Sequence, residues 1–205
     1  MDESLGTMSG AELATVELPR LRSLLLDLVF QGAYQEGEFV LTSGQRSTYY
    51  INGKLVTLHP QGALILGRLF LDLLSPEVTG VAGLTLGADP LVTAVSLVAM
   101  YANRWLYPLI IRKEAKGHGT KAFIEGLSLP AGSLVTVLED VVTTGQSALK
   151  AVDRLRAAGY QVNQVLAMVD RQQGGAELYA EQGLAFTALF TLQDIQAHWA
   201  SRHPQ

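Results

Sequence analysis

Apolar and polar positions change period repeatedly along the chain. "LPRLRSLLLDLVFQGAY", from Leu18, carries leucines at helical spacing and breaks at Gly32, which predicts an amphipathic helix. "EFVLTSGQRSTYYING" alternates around a Ser-Gly-Gln-Arg turn and predicts a hairpin. "PQGALILGRLFLDLLSP" starts on one proline and stops before another, a second helix. Strand and helix then alternate. "VTGVAGL", "LYPLIIR", "SLVTVLE", "QVNQVLAMVD" and "LAFTALFTL" read as strands. "DPLVTAVSLVAMYAN", "GQSALKAVDRLRAAG", "GAELYAEQG" and "LQDIQAHWASR" read as helices. Residues 1–15, polar and rich in Ser, Gly and Thr, read as a flexible tail.

Near-continuous apolar strands alternating with helices predict an α/β fold, with a mostly parallel central sheet flanked by helices and a small N-terminal hairpin as a hood. Ligands of such sheets bind beyond the carboxyl ends of the strands. The segments to examine are therefore Thr85–Asp89, Arg112–Lys121, Glu139–Ser147 and Asp170–Gly175. One domain over 16–205 accommodates all of them, and no internal repeat or low-complexity segment interrupts it.

Composition narrows the chemistry. The chain has 205 residues and no cysteine, which excludes disulfides, thiolate zinc sites and a cysteine nucleophile. Its four histidines, His59, His118, His198 and His203, form no metal motif. No apolar run approaches the ~18 residues of a membrane span, and the first residues lack the pattern of a secretory signal. A cytoplasmic protein is expected, with no membrane partner. A net charge of -4 argues against nucleic acid as a partner. Against that balance, "RKEAKGHGTK" (Arg112–Lys121) concentrates four Lys/Arg and a histidine against one acid. Such a cluster suits either a solubilising surface loop or a mobile segment that meets an anion.

"VLEDVVTTGQSALKAV" (Val137–Val152) is the richest stretch. A turn of Thr143, Thr144, Gly145, Gln146 and Ser147 at a helix start aims backbone N–H groups at one spot beside the positive end of the helix dipole, a place for a phosphate. Glu139 and Asp140 sit too near that spot to touch a phosphate favourably. Carboxylates there suit sugar hydroxyls or magnesium, so the whole turn fits a ribose phosphate. The same residues also make an ordinary strand-to-helix loop with solvated acids. Neither a Walker loop nor a Gly-x-Gly-x-x-Gly fingerprint is present.

The order of hydrophobic strand, adjacent acids and "VVTTGQS" resembles the phosphoribosyl diphosphate (PRPP) motif of type I phosphoribosyltransferases, most closely the orotate-using members. "RKEAKGHGTK" resembles their mobile catalytic loop, "LTSGQRSTYYING" their orotate-contacting hairpin, "MVDRQQGG" a segment with an orotate-contacting arginine, and "GLTLGADPL" a diphosphate-contacting loop. The resemblance spans roughly Leu18 to Ala185.

The resemblance implies transfer of phosphoribose from PRPP to orotate, a step of pyrimidine synthesis, through an oxocarbenium-like transition state. It implies that Glu139 and Asp140 hold the ribose hydroxyls. The 5′-phosphate cradle is Thr143, Thr144, Gly145, Gln146 and Ser147, and Val141 and Val142 before it also bind PRPP. Arg112, Lys113, Lys116 and His118 bind the diphosphate. Thr143, Arg171, Tyr49 and Tyr50 contact orotate, and Lys116, His118 and Asp140 are catalytic. Mg2+ is expected through PRPP and water rather than through a protein cage. A homodimer is implied too, its basic loop reaching into the neighbouring site.

Three positions depart from the pattern: Glu139 where the family usually has aspartate, Thr42 where some members have lysine before Ser-Gly, and Leu86-Gly87 where some have Tyr-Lys. A non-catalytic PRPP-sensing regulator or a transferase for another base are the competing readings. Locally, Tyr49 and Tyr50 also read as strand residues facing opposite sides, and Arg171 as a surface partner of Asp170 or Glu177.

Overall fold

The computed structural model describes residues 8–40, 46–116 and 123–202. Eight helices are seen among them: α1 (Gly10–Thr15), α2 (Leu18–Leu28), α3 (Lys54–Thr57), α4 (Pro60–Leu73), α5 (Asp89–Tyr101), α6 (Gln146–Ala157), α7 (Gly175–Glu181) and α8 (Leu192–Arg202). The strands are β1 (Tyr34–Val40), β2 (Arg46–Ile51), β3 (Gly80–Leu84), β4 (Tyr107–Ile111), β5 (Ile124–Glu125), β6 (Val135–Val142), β7 (Gln164–Asp170) and β8 (Ala185–Thr191).

Six strands form the main sheet in the order β5-β4-β3-β6-β7-β8. All neighbours run parallel except the two-residue β5, which caps β4 antiparallel. The inner strands are apolar on both faces because helices cover both. Leu21, Leu24, Leu25, Ile65, Leu66, Phe70, Val92 and Val95, from α2, α4 and α5, fill one core cluster, and Ile195 of α8 joins them. Ala148, Ala151, Val152 and Leu155 of α6 and Tyr179 of α7 belong to the other. The predicted α/β architecture is the one observed.

β1 and β2 form the separate antiparallel hairpin, with Tyr34 opposite Ile51 and Glu36 opposite Tyr49. A π turn over Val29–Ala33 ends α2 and delivers the chain into β1. Phe30 of that turn packs against His198 and Trp199 of α8, and Trp199 packs edge-on against Tyr34. The hood is thereby tied to the C-terminal helix by aromatic contacts.

Two differences from the sequence reading have local causes. The tail expected over 1–15 gives way to helix at α1. Ser9 and Glu12 cap each other there, Leu13 is fully buried, and Arg68 donates to the carbonyls of Leu13 and Val16 at 2.6 Å each. β6 also continues past Leu138, through both acids, to Val142, because its ladder with β7 runs on to the pair Val142–Asp170.

Close approach is enforced at Gly83 in β3. A Cβ there would lie 2.2 Å from the Cβ of Ala88 and 2.6 Å from the carbonyl oxygen of Leu138. Gly83→Ala is expected to overpack this junction and cost about 1–3 kcal/mol of unfolding free energy, measured by urea unfolding.

Candidate active site

The carboxyl ends of β3, β4, β6 and β7 converge where parallel-sheet geometry predicts. Glu139 and Asp140 are the last polar residues of β6, and Glu139 is only 6% exposed. Burial, followed by the neighbouring Asp140, pushes the Glu139 carboxyl up to about 8, and its Oε1 is buried without a partner among the described residues. Burial raises Asp140 as well, against the backbone N–H of Val141 at 2.9 Å and the cation of Lys54, which both pull it down.

Asp140 is held between two glycines from distant segments. A Cβ on Gly53, the residue before α3, would approach its side chain to 2.9 Å, and one on Gly87, in the β3–α5 loop, to 2.7 Å. No side chain of any size fits at 87 while Asp140 keeps this conformation. The Leu86-Gly87 departure is therefore matched by packing: the backbone approaches the acid, and Leu86 points to solvent, 67% exposed.

After Val142 the chain turns through Thr143, Thr144 and Gly145 into α6. Gly145 takes a left-handed φ of 81° and caps α6 without a side-chain hydrogen bond, leaving the first N–H groups of the helix to other acceptors. Its lack of a Cβ also admits the ring of Tyr179, whose carbons would lie 3.0 Å from one. Val141 to Ser147, with Glu139 and Tyr179, enclose a cavity of about 90 Å³. The Tyr179 hydroxyl is buried without a partner among the described residues, and burial together with Glu139 and Asp170 raises its pKa.

Arg171 follows β7 and reaches across to both the hood and the turn. Its Nε and Nη2 donate to the Tyr49 hydroxyl at 3.2 and 3.1 Å, and Nη1 donates to Thr143 Oγ1 at 3.5 Å. It turns to these groups rather than to Asp170 or Glu177; the Asp170 carboxylate instead accepts from the Gln172 N–H. Strand alternation separates the tyrosines: Tyr49 is buried at 8% and Tyr50 is 42% exposed.

The described part of the basic segment, Arg112 to Lys116, makes a different set of contacts. Arg112 pairs with Glu125 at 3.0 Å and Lys116 with the same oxygen at 3.8 Å, while Lys113 is exposed. Arg154 of α6 anchors the backbone beneath, donating to the carbonyls of Arg112 and Lys113 and stacking 4.1 Å over the Phe123 ring. His118 and Thr42 lie outside the described residues. Glu125, Arg154, Lys54 and Tyr179 escaped sequence reading; a charged or polar residue on an ordinary strand or helix carries no signal of where it reaches.

No family model matches the chain. It is 66% identical to an orotate phosphoribosyltransferase of Nostoc sp. over 186 residues, covering 91% of this chain and 90% of that protein. Over an alignment of the same length, 186 residues, it is 62% identical to the Synechocystis sp. orotate phosphoribosyltransferase, covering 91% of this chain and 94% of that protein. Among solved structures, the Mycobacterium tuberculosis orotate phosphoribosyltransferase with Fe(III) dicitrate superposes with a TM-score of 0.76 at 35% identity, covering 85% of this chain and 98% of that one. The same enzyme in complex with PRPP gives 0.72 at 32%, covering 86% and 99%.

Glu139 sets a pH dependence of stability. Its pKa is higher folded, about 8, than the ordinary 4.5, so between those values the folded state holds a proton that the unfolded chain has lost. Stability from this group is full below about 4.5 and declines as pH rises toward 8. Thermal melting across this range is expected to show a shallower decline for Glu139→Gln than for the unsubstituted protein.

Proposed function

The chain belongs to the orotate phosphoribosyltransferases, and from that premise we propose how its residues divide the work of the reaction. That reaction moves phosphoribose from PRPP to a ring nitrogen of orotate, giving orotidine 5′-monophosphate and pyrophosphate in pyrimidine synthesis. The observation that carries the assignment is the joint at Thr143, which opens the turn beside the buried acids and accepts from Arg171.

The 5′-phosphate enters the cradle of Val141 to Ser147, where α6 offers N–H groups and the hydroxyls of Thr143, Thr144 and Ser147 add donors. Glu139 and Asp140 accept from the ribose hydroxyls. An acceptor role for Glu139 favours its ionised form, so ribose binding draws off the proton that burial retains.

At the reacting centre the bond from the ribose anomeric carbon to the diphosphate oxygen breaks as the ring nitrogen of orotate, bound already deprotonated, bonds to that carbon. Positive charge builds on the sugar and negative charge on the leaving diphosphate. Arg112, Lys113 and Lys116 supply cations to the diphosphate, with His118 as a further donor. Glu125 holds two of these side chains in exposed pairs, which are weak enough to exchange for a diphosphate. Arg171 binds the orotate carboxylate, while Tyr50, on the other face of β2 from Tyr49, packs against Phe39. Closure of the basic loop excludes water that would hydrolyse PRPP.

The donor set suits a Mg2+ ion shared with substrate. Among the described residues no group of three His, Asp or Glu side chains converges on one point, whereas two adjacent acids, one with a buried unpartnered oxygen, lie together. Mg2+ commonly takes one or two carboxylates, water and substrate phosphates. Bound with PRPP and water near Glu139 and Asp140, it would neutralise charge on the departing diphosphate.

We also propose a cytoplasmic homodimer in which Lys116 and His118 serve the neighbouring site. Leu97, Met100, Tyr101 and Trp105 are 59%, 47%, 85% and 68% exposed, an apolar strip on and after α5 of the kind that marks an interface.

With Mg2+ and PRPP, the protein is expected to consume orotate, followed by its ultraviolet absorbance; no change at high enzyme concentration refutes the assignment. Lys116→Ala should lower kcat by roughly 100-fold or more with a small change in the PRPP dissociation constant. Unaltered turnover would remove Lys116 from catalysis.

A further inference from the structure

Tyr49 differs from a residue that simply lies beside the base. Its hydroxyl oxygen receives three N–H groups: Nε and Nη2 of Arg171, and Nε2 of Gln173 at 3.2 Å. The ring packs against Tyr34, with centroids 6.2 Å apart, and the guanidinium carbon of Arg171 lies 4.9 Å from its centroid. Tyr34 is fixed in turn by its hydroxyl on Glu36 at 3.0 Å and by Trp199. The phenol oxygen is therefore anchored to the hood, while Arg171 belongs to the end of β7.

Donor counting shows what this arrangement selects. A guanidinium carries five N–H groups. Tyr49 takes one from Nε and one from Nη2, and Thr143 takes one from Nη1. One N–H remains on each terminal nitrogen, the pair that grips a carboxylate with two parallel bonds. Without the Tyr49 oxygen, the Nε side of the fork has no acceptor on the hood, and the guanidinium is held only by the longer Thr143 bond and the ring face.

We propose that Tyr49, seconded by Gln173, is a positioning residue that selects which edge of Arg171 faces the base, and so tunes the site for a base bearing a carboxylate. The inference rests on the reading in which Arg171 receives the orotate carboxylate. It gives Tyr49 a role carried by its hydroxyl, and it assigns Gln173 a part in base selection.

Tyr49→Phe keeps the ring and removes the oxygen. Steady-state kinetics of this variant should show KM for orotate raised on the order of tenfold, with kcat within about twofold and KM for PRPP unchanged. In an Arg171→Ala background, assayed at high enzyme concentration, the same substitution should have no further effect, because the group it positions is gone. An unchanged KM for orotate in Tyr49→Phe overturns the inference, as do equal effects in the two backgrounds or a parallel rise in KM for PRPP. Thermal melting of each variant identifies a folding defect, and a KM change that tracks lost stability also counts against it. If the unsubstituted protein does not consume orotate, the underlying reading falls and the inference with it; an active wild type with an unaffected Tyr49→Phe overturns the inference alone.

Discussion

Two adjacent carboxyl groups are kept inside the ladder of a parallel sheet, and much of the surrounding structure accommodates that. β6 is apolar to Leu138, then carries Glu139 and Asp140 without leaving its pairing with β7. Because the strand continues, the backbone fixes the direction of both acids, with Glu139 buried and Asp140 half-buried. Gly53 and Gly87 bring two other segments to within a side chain's breadth of Asp140. Desolvation holds the proton on Glu139 in the absence of ligand.

Such an arrangement costs stability. The buried Oε1 of Glu139 and the buried hydroxyl of Tyr179 have no partner among the described residues, and an unsatisfied buried polar group typically costs about 1–3 kcal/mol. Both border the cavity of the phosphate turn. The turn itself depends on Gly145 and Gly175: a Cβ on Gly175 would meet Val142 at 2.4 Å. Packing is tight where the turn is built and polar groups are left open where a ligand would enter, which is the pattern of a preorganised binding site.

The hood supplies the other half of the site by a different route. Tyr34 and Tyr49 join the main core cluster, and aromatic contacts and polar bonds align the hood: Phe30 and Tyr34 against α8, and the Tyr49 oxygen against Arg171 and Gln173. Arg171 thus joins three elements, hood, β7 and phosphate turn, through one side chain.

Periodicity alone determined the order of strands and helices, the parallel sheet and the four strand ends that hold the site, because burial on both faces demands continuous apolar strands and covering helices. The run from Glu139 to Ser147 reads as ribose-phosphate chemistry from the sequence because its donors and acceptors are adjacent in the chain. Short elements such as α3, β5 and the π turn were not, being too brief to show a period. Neither were the roles of Glu125, Arg154 and Tyr179, nor the meeting of Tyr49 with Arg171 across 122 positions. Alternation said that one of Tyr49 and Tyr50 would face inward, but which one depends on register, and register is decided by the core against which the hairpin packs. The chain's local chemistry specified what the site contains; only tertiary packing decided which of its groups are desolvated, which are paired, and which way Arg171 points.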